Sequence, residues 1–105
     1  MAQFRAYENS NKATMKAYPY LLDIQSNLLD ELRTTVVIPL CPTNLAGKAA
    51  ITKLCPILKI DGRSFIVLTQ QIAGIDRKYL GKEICDLSLY RSEIIAALDF
   101  IISGI

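Results

Sequence analysis

Apolar and polar positions alternate with a period of two along most of the chain and with a period near 3.6 only at its end. In Gln3 to Tyr7, Phe4 and Ala6 fall on one side and Gln3, Arg5 and Tyr7 on the other, which predicts a strand. Glu8 to Lys16 is polar and poor in β-formers and reads as a loop. Tyr18 to Ile24 is aromatic and branched and reads as a second strand, with Pro19 at its start or on a sheet edge. Gln25 to Arg33 is ambiguous, since Leu28, Leu29 and Leu32 suit a short helical turn. Thr34 to Leu40 is a strong strand, and Pro39 implies that it stops there or lies at an edge. Pro42 to Ala50 is a connection.

Two apolar runs, Ile51 to Ile60 and Arg63 to Thr69, flank Asp61-Gly62. Asp-Gly in that setting predicts a hairpin with a type I′ turn, because both central residues tolerate positive φ. Ala73 to Leu80 is a weaker strand between Gly74 and Gly81. The period then changes. Ile94, Ala97, Leu98 and Ile101 recur at i, i+3, i+4, i+7, which predicts an amphipathic helix over roughly Ser88 to Ile102 with Asp86 or Ser88 as its N-cap. Strands first and one helix last make an α+β chain, mostly β, on antiparallel sheet.

Length and composition narrow the class. The 105 residues suit one domain over 1–105, and 51% hydrophobic against 21% charged residues excludes a disordered tail. Twelve basic and ten acidic residues give a net charge of +2, far from the basic footprint of a chain that binds nucleic acid by itself. The N-terminal residues lack the apolar core of a signal peptide, and Ile94 to Ile105 is too short to span a bilayer, so the reading is cytoplasmic with no membrane partner. Cys41, Cys55 and Cys85 are odd in number and far apart, which reads as reduced, mostly buried thiols.

Candidate chemistry is sparse. With no histidine and no Cys-x-x-Cys pair, a zinc site is not expected, nor is any other metal or cofactor. Gly47-Lys48 lacks the rest of a phosphate loop, and Asp30-Glu31 and Arg77-Lys78 read as solvated surface. The C-terminal segment is the exception. Ile95 and Ile102 widen its apolar stripe beyond what one sheet face covers, while Ala96 and Phe100 lie off it. Ile102-Ser103-Gly104-Ile105 is an apolar finish where ends are usually polar. It suits either a plug in the chain's own core or a tip reserved for a partner, and the surplus apolar surface suits a homodimer.

Several short pieces, in order, resemble the CcdB toxins. They are Gln3-Phe4 with Tyr7, Leu22-Asp23-Ile24-Gln25-Ser26, Val37-Ile38-Pro39-Leu40, Gly81 with Glu83, Asp86-Leu87-Ser88 and the final Gly104-Ile105. The resemblance implies an SH3-like antiparallel barrel with one long C-terminal helix, assembled as a two-fold dimer. It implies binding to the DNA gyrase A subunit, trapping of the cleaved-DNA complex, and neutralisation by a CcdA-type antitoxin. That antitoxin carries the operator-DNA contact when the pair represses its operon. It also implies that gyrase is met by Asp99, Ile102, Ser103, Gly104 and Ile105. Ser103 stands where the family has tryptophan, the residue type most frequent as an interface anchor, and Asp99 where it has asparagine, so the contact is expected to be weaker or rearranged. Two other readings are an endoribonuclease toxin of the MazF type, for which Arg63 and Arg77 are the available cations, and an inactive relative that binds only antitoxin.

Overall fold

In the computed structural model, which describes residues 3–44 and 53–104, the alternating pattern folds into β1 (Arg5–Asn9), β2 (Tyr20–Asp23), β3 (Thr34–Pro42), β4 (Ile57–Ile60), β5 (Arg63–Val67), β6 (Ala73–Asp76) and β7 (Leu80–Asp86), followed by α1 (Arg91–Ser103). All pairings are antiparallel. The strand order is β4-β5-β3-β2-β1-β7, with β6 also paired to β3, and the sheet curls into a half-barrel. The β4–β5 hairpin turns at Asp61 (φ 51°) and Gly62 (φ 77°), the two positive angles that the Asp-Gly pair predicts.

β3 organises the rest. Thr34–Val37 pairs with β6 and Leu40–Pro42 with β5 on one edge, while Val37–Leu40 pairs with β2 on the other. Pro39 therefore does not end the strand or mark a sheet edge, as the sequence suggests. Its carbonyl takes the Leu68 N–H at 3.1 Å, so its missing donor faces that same edge. There it falls between the two partners, where no ladder bond is required.

The period of two sends alternate residues to opposite faces. Phe4, Ala6, Leu22, Ile38, Leu40, Leu58, Phe65 and Val67 close on Ile94 of α1 and form the main core. Each large side chain buried there contributes about 1.5–3 kcal/mol. Tyr7, Leu21, Val37 and Leu80 form a second cluster, with Ile75 against it. Phe4 is bulky, buried and left-handed at φ 64°. A backbone of that kind costs about 1–2 kcal/mol. Its N–H to the Asp23 carbonyl (2.6 Å) and its carbonyl to the Leu87 N–H (2.7 Å) hold it in place.

Several expectations are corrected. β1 runs through Glu8 and Asn9, which read as loop, because both pair across the sheet. Ala73 to Leu80 is not one strand. Asp76 Oδ1 accepts the Lys78 N–H at 3.0 Å and turns Arg77–Tyr79 into a single 3-10 turn, which splits β6 from β7. β7 itself, seven residues long, was not expected, because Lys82-Glu83 interrupts the apolar pattern at a sheet edge. In the Ile51 to Ile60 run only Ile57–Ile60 is strand, and Ile51 lies outside the described residues. Gln25 to Arg33 holds a 3-10 turn at Asn27–Leu29, capped by the Ser26 side chain. α1 starts at Arg91, after a 3-10 turn at Ser88–Tyr90. Leu87 and not Asp86 or Ser88 is the N-cap of that turn, Asp86 accepts the Ser88 N–H and hydroxyl from one residue upstream, and Tyr90 at the helix N-cap makes no side-chain cap bond. Cys41 and Cys55 are buried and Cys85 is half-buried.

Candidate functional site

The last turn of α1 leaves the body of the protein. Asp86 Oδ1 accepts the Ser88 backbone N–H at 2.8 Å and the Ser88 hydroxyl, and so fixes the approach to the helix. The hydroxyl bond first, the backbone bond next and Arg5 after them hold the Asp86 carboxyl below its ordinary range. Arg5 reaches Glu83 at 2.6 Å and Asp86 at 3.7 Å, tying β1 to the end of β7. Glu93 lies in the first helical turn, where negative charge suits the dipole.

Along the helix the apolar stripe divides. Ile94 and Ala97 are buried, and Ile95 and Leu98 pack half-buried against the main core. Ile101, expected in the core stripe, is 39% exposed, and Ile102 is 84% exposed. The sheet beneath covers the first half of the helix only. Phe100, expected off the stripe, is half-buried, with the Lys53 ammonium 5.4 Å from its ring centroid.

The helix is closed by its own backbone. Gly104 adopts φ 74°, the left-handed cap glycine takes at little cost, and its N–H bonds the Phe100 carbonyl at 2.8 Å. The Ser103 hydroxyl donates to the Asp99 carbonyl at 2.7 Å. Asp99, Ile102, Ser103 and Gly104 are thus gathered in one exposed turn. Ile105 lies outside the described residues. An exposed apolar side chain on a rigid, capped helix can fill an apolar hollow on another protein. The Ser103 hydroxyl, turned onto its own backbone, is not set up as a nucleophile with a neighbouring base.

Sequence reasoning missed a second apolar surface. Leu28 is 94% exposed, and Leu29 and Leu32 beside it are nearly half exposed. Their loop is held from below. Arg77 Nε donates to the Leu32 carbonyl at 2.6 Å and Nη2 to the Leu29 carbonyl at 3.2 Å. Gln25 Nε2 reaches the Thr34 carbonyl at 3.2 Å. Three leucines set among the charged Asp30-Glu31 and Arg33 were the available signal.

Arg63 and Arg77, the cations named for phosphate chemistry, serve separate elements. Arg63 lies over the Phe65 ring, 5.4 Å from its centroid, and Arg77 is committed to the leucine loop. Among the described residues no group of three or more His, Cys, Asp or Glu side chains could hold a metal, and no helix is long and apolar enough to cross a membrane. Compared with known families, residues 3–104 match the family described as CcdB protein.

Proposed function

The chain belongs to the CcdB family and is a toxin of a toxin–antitoxin system, and from that premise we propose that it poisons DNA gyrase by binding rather than by catalysis. The target is the gyrase A subunit. The toxin traps the complex in which DNA is cleaved and so blocks replication and transcription. The observation that carries this reading is the exposed last turn of α1, where Ile102 projects from a helix whose first half is locked into the core. A side chain of that size left in water is a candidate anchor, and the capped helix end keeps the ordering cost of binding low.

In this reading residues 1–105 act as one unit, in the cytoplasm, as a homodimer. Ile101, 39% exposed beside the tip, supplies apolar area that one protomer leaves uncovered. A CcdA-type antitoxin neutralises the toxin, and the pair represses its own operon with the antitoxin reading the DNA. The small net charge of +2 agrees with that division of labour. No cofactor takes part.

The test is a cleavage assay with purified protein, gyrase, ATP and supercoiled plasmid. Accumulation of linear DNA after detergent and protease treatment is the expected result. Unchanged supercoiling at saturating protein would overturn the proposal. Single-stranded RNA incubated in parallel should stay intact.

A further inference from the structure

The period of two gives β2 and β3 a second apolar face. Leu22, Ile38 and Leu40 turn to the main core and α1, so Leu21, Val37 and Pro39 turn the other way. These three form the floor of a cavity of about 410 Å³, a size suited to a small ligand. Ala73 to Asp76 of β6 make one side of it, and the loop from Asn11 to Tyr18 makes the other. That loop is built in advance. The buried Asn9 side chain donates to Thr14 Oγ1 at 3.0 Å and to the Tyr18 carbonyl at 2.9 Å, and it accepts the Asn11 N–H at 3.0 Å. The Ser10 N–H bonds the Tyr79 carbonyl at 3.0 Å, which joins the loop to the 3-10 turn after β6.

These bonds decide which polar groups the cavity has to offer. Asn11 Oδ1 is taken by the Ala13 N–H at 3.0 Å, which leaves the Asn11 amide nitrogen as a donor. Thr14 Oγ1 already accepts from Asn9, so its own proton is available to donate. The Tyr18 and Tyr79 hydroxyls have no hydrogen-bond partner among the described residues. Asp76, the one carboxylate in the lining, is engaged by the Lys78 N–H at 3.0 Å and by Arg33 at 3.6 Å. The Lys78 ammonium stands 5.3 Å from the centroid of the Tyr79 ring and forms no ion pair among the described residues. Spare donors and one spare cation therefore border an apolar floor. An ionised carboxylate only accepts hydrogen bonds, and it binds more strongly to such donors than a neutral acceptor does.

We propose that this cavity binds a small carboxylate with an apolar body, of the size of an arylalkanoate, whose ring lies on Leu21, Val37 and Pro39 and whose carboxylate is met by the loop donors and Lys78. An amine of the same shape would leave the donors unmatched and face a like charge. The site lies on the face of the sheet turned away from α1, so it is separate from the tip. The register also supplies a plug. Ala73 pairs with Val37, and cross-strand partners share a face, so the exposed Ala73 side chain stands on the cavity side of β6.

The experiment follows backbone amide NMR shifts of the full chain during titration with phenylbutyrate to millimolar concentration. Saturable shifts at Leu21, Val37 and Ala73 to Asp76 are expected. Phenylbutanamide, which keeps the shape and loses the charge, should bind about tenfold more weakly. Lys78→Gln keeps the backbone bond to Asp76 and should weaken phenylbutyrate about threefold while leaving the amide unchanged. Ala73→Phe should fill the cavity, keep the melting temperature and remove saturable binding of both compounds. Absence of saturation, shifts centred elsewhere, equal binding of acid and amide, or an undiminished response in either variant would overturn the site. Tighter binding by the peptide acid acetyl-Ala-Ala-Phe than by phenylbutyrate would assign the site to the end of a protein chain and overturn the small-molecule reading. Because gyrase takes no part, the outcome is independent of the reading of the tip.

Discussion

The Thr35 hydroxyl donates to Asp23 Oδ1 at 2.8 Å with both side chains shut away from solvent, so a carboxylate is held inside the sheet by a neutral partner. Burial pushes the Asp23 carboxyl above its ordinary range, against the Thr35 and Gln25 hydrogen bonds and the charge of Arg77, which pull it down. The fold then holds this proton more tightly than the unfolded chain does. Its contribution to stability is complete below the unfolded carboxyl pKa and is lost as pH rises through the folded one. Asp23→Asn keeps an oxygen for Thr35 and Gln25 without the charge. It should melt at or above the parent temperature at neutral pH, and the difference should shrink as the pH falls and the parent carboxyl, raised by burial, takes up its proton. A gap that stays constant over that range would count against the assignment. Asp23→Ala strands both donors and should cost about 1–3 kcal/mol.

The two halves of α1 should respond oppositely to truncation. Ile94→Ala removes a fully buried side chain and should cost about 2–5 kcal/mol in urea unfolding. Ile102→Ala should stay within about 0.5 kcal/mol of the parent and lose most gyrase poisoning in the cleavage assay. Full poisoning by the Ile102 variant would show that the anchor lies elsewhere.

Deleting residues 103–105 should abolish poisoning with a small shift in melting temperature, since α1 is held to the core by Ile94 and Ala97. Collapse of the melting transition would instead mark the end of the chain as part of the core. Ser103→Trp supplies the aromatic anchor that the resemblance implies at that position, and should tighten binding to a gyrase A fragment without altering the circular dichroism spectrum.

A side chain at Gly81 would be tightly placed. A Cβ there would stand 3.1 Å from the Glu8 carbonyl oxygen and 3.2 Å from Glu8 Cβ, where the β1–β7 register shifts. Gly81→Ala should cost about 1–3 kcal/mol by overpacking. Gly74→Ala, with open space around it, should be close to neutral. Equal unfolding midpoints for the two variants would contradict this difference.

Burial raises the Cys41 thiol and, with the nearby carboxylates of Asp61, Asp86 and Glu83, the Cys85 thiol. Neither is poised to react. Maleimide labelling of the native protein should be slow and should begin at the half-buried Cys85. Replacing all three cysteines by alanine should lower stability and leave gyrase inhibition intact.

Where one physical cue dominates, the sequence was legible. The Asp61-Gly62 pair identified the hairpin because few dipeptides accept two positive φ angles, and the 3.6 period identified α1 because Ile94 and Ala97 must face one sheet. β7 was hidden because Lys82 and Glu83 sit on an edge, where polar residues are tolerated and the alternation fades. Pro39 misled because its consequence depends on which edge its nitrogen faces, and that is a property of register. The surplus of apolar residues marked the end of α1, where Ile102 is exposed, whereas Asp99, Ser103 and Gly104 entered only through the resemblance. The short helical turn at Leu28 and Leu29 was legible too, but the exposure of its leucines was not, because a three-residue turn has no second face to show which side is covered.

The change of partner along β3 has a consequence for local opening. The β6 ladder ends at Val37 and the β5 ladder begins at Leu40, and between them Pro39 carries no amide hydrogen to exchange. The β6 arm can therefore unzip without breaking a bond that belongs to the β4–β5 hairpin, which makes the two separate cooperative units on one strand. Amide exchange should show Thr35 and Val37 opening with β6 at a lower free energy than Cys41, which opens with the hairpin.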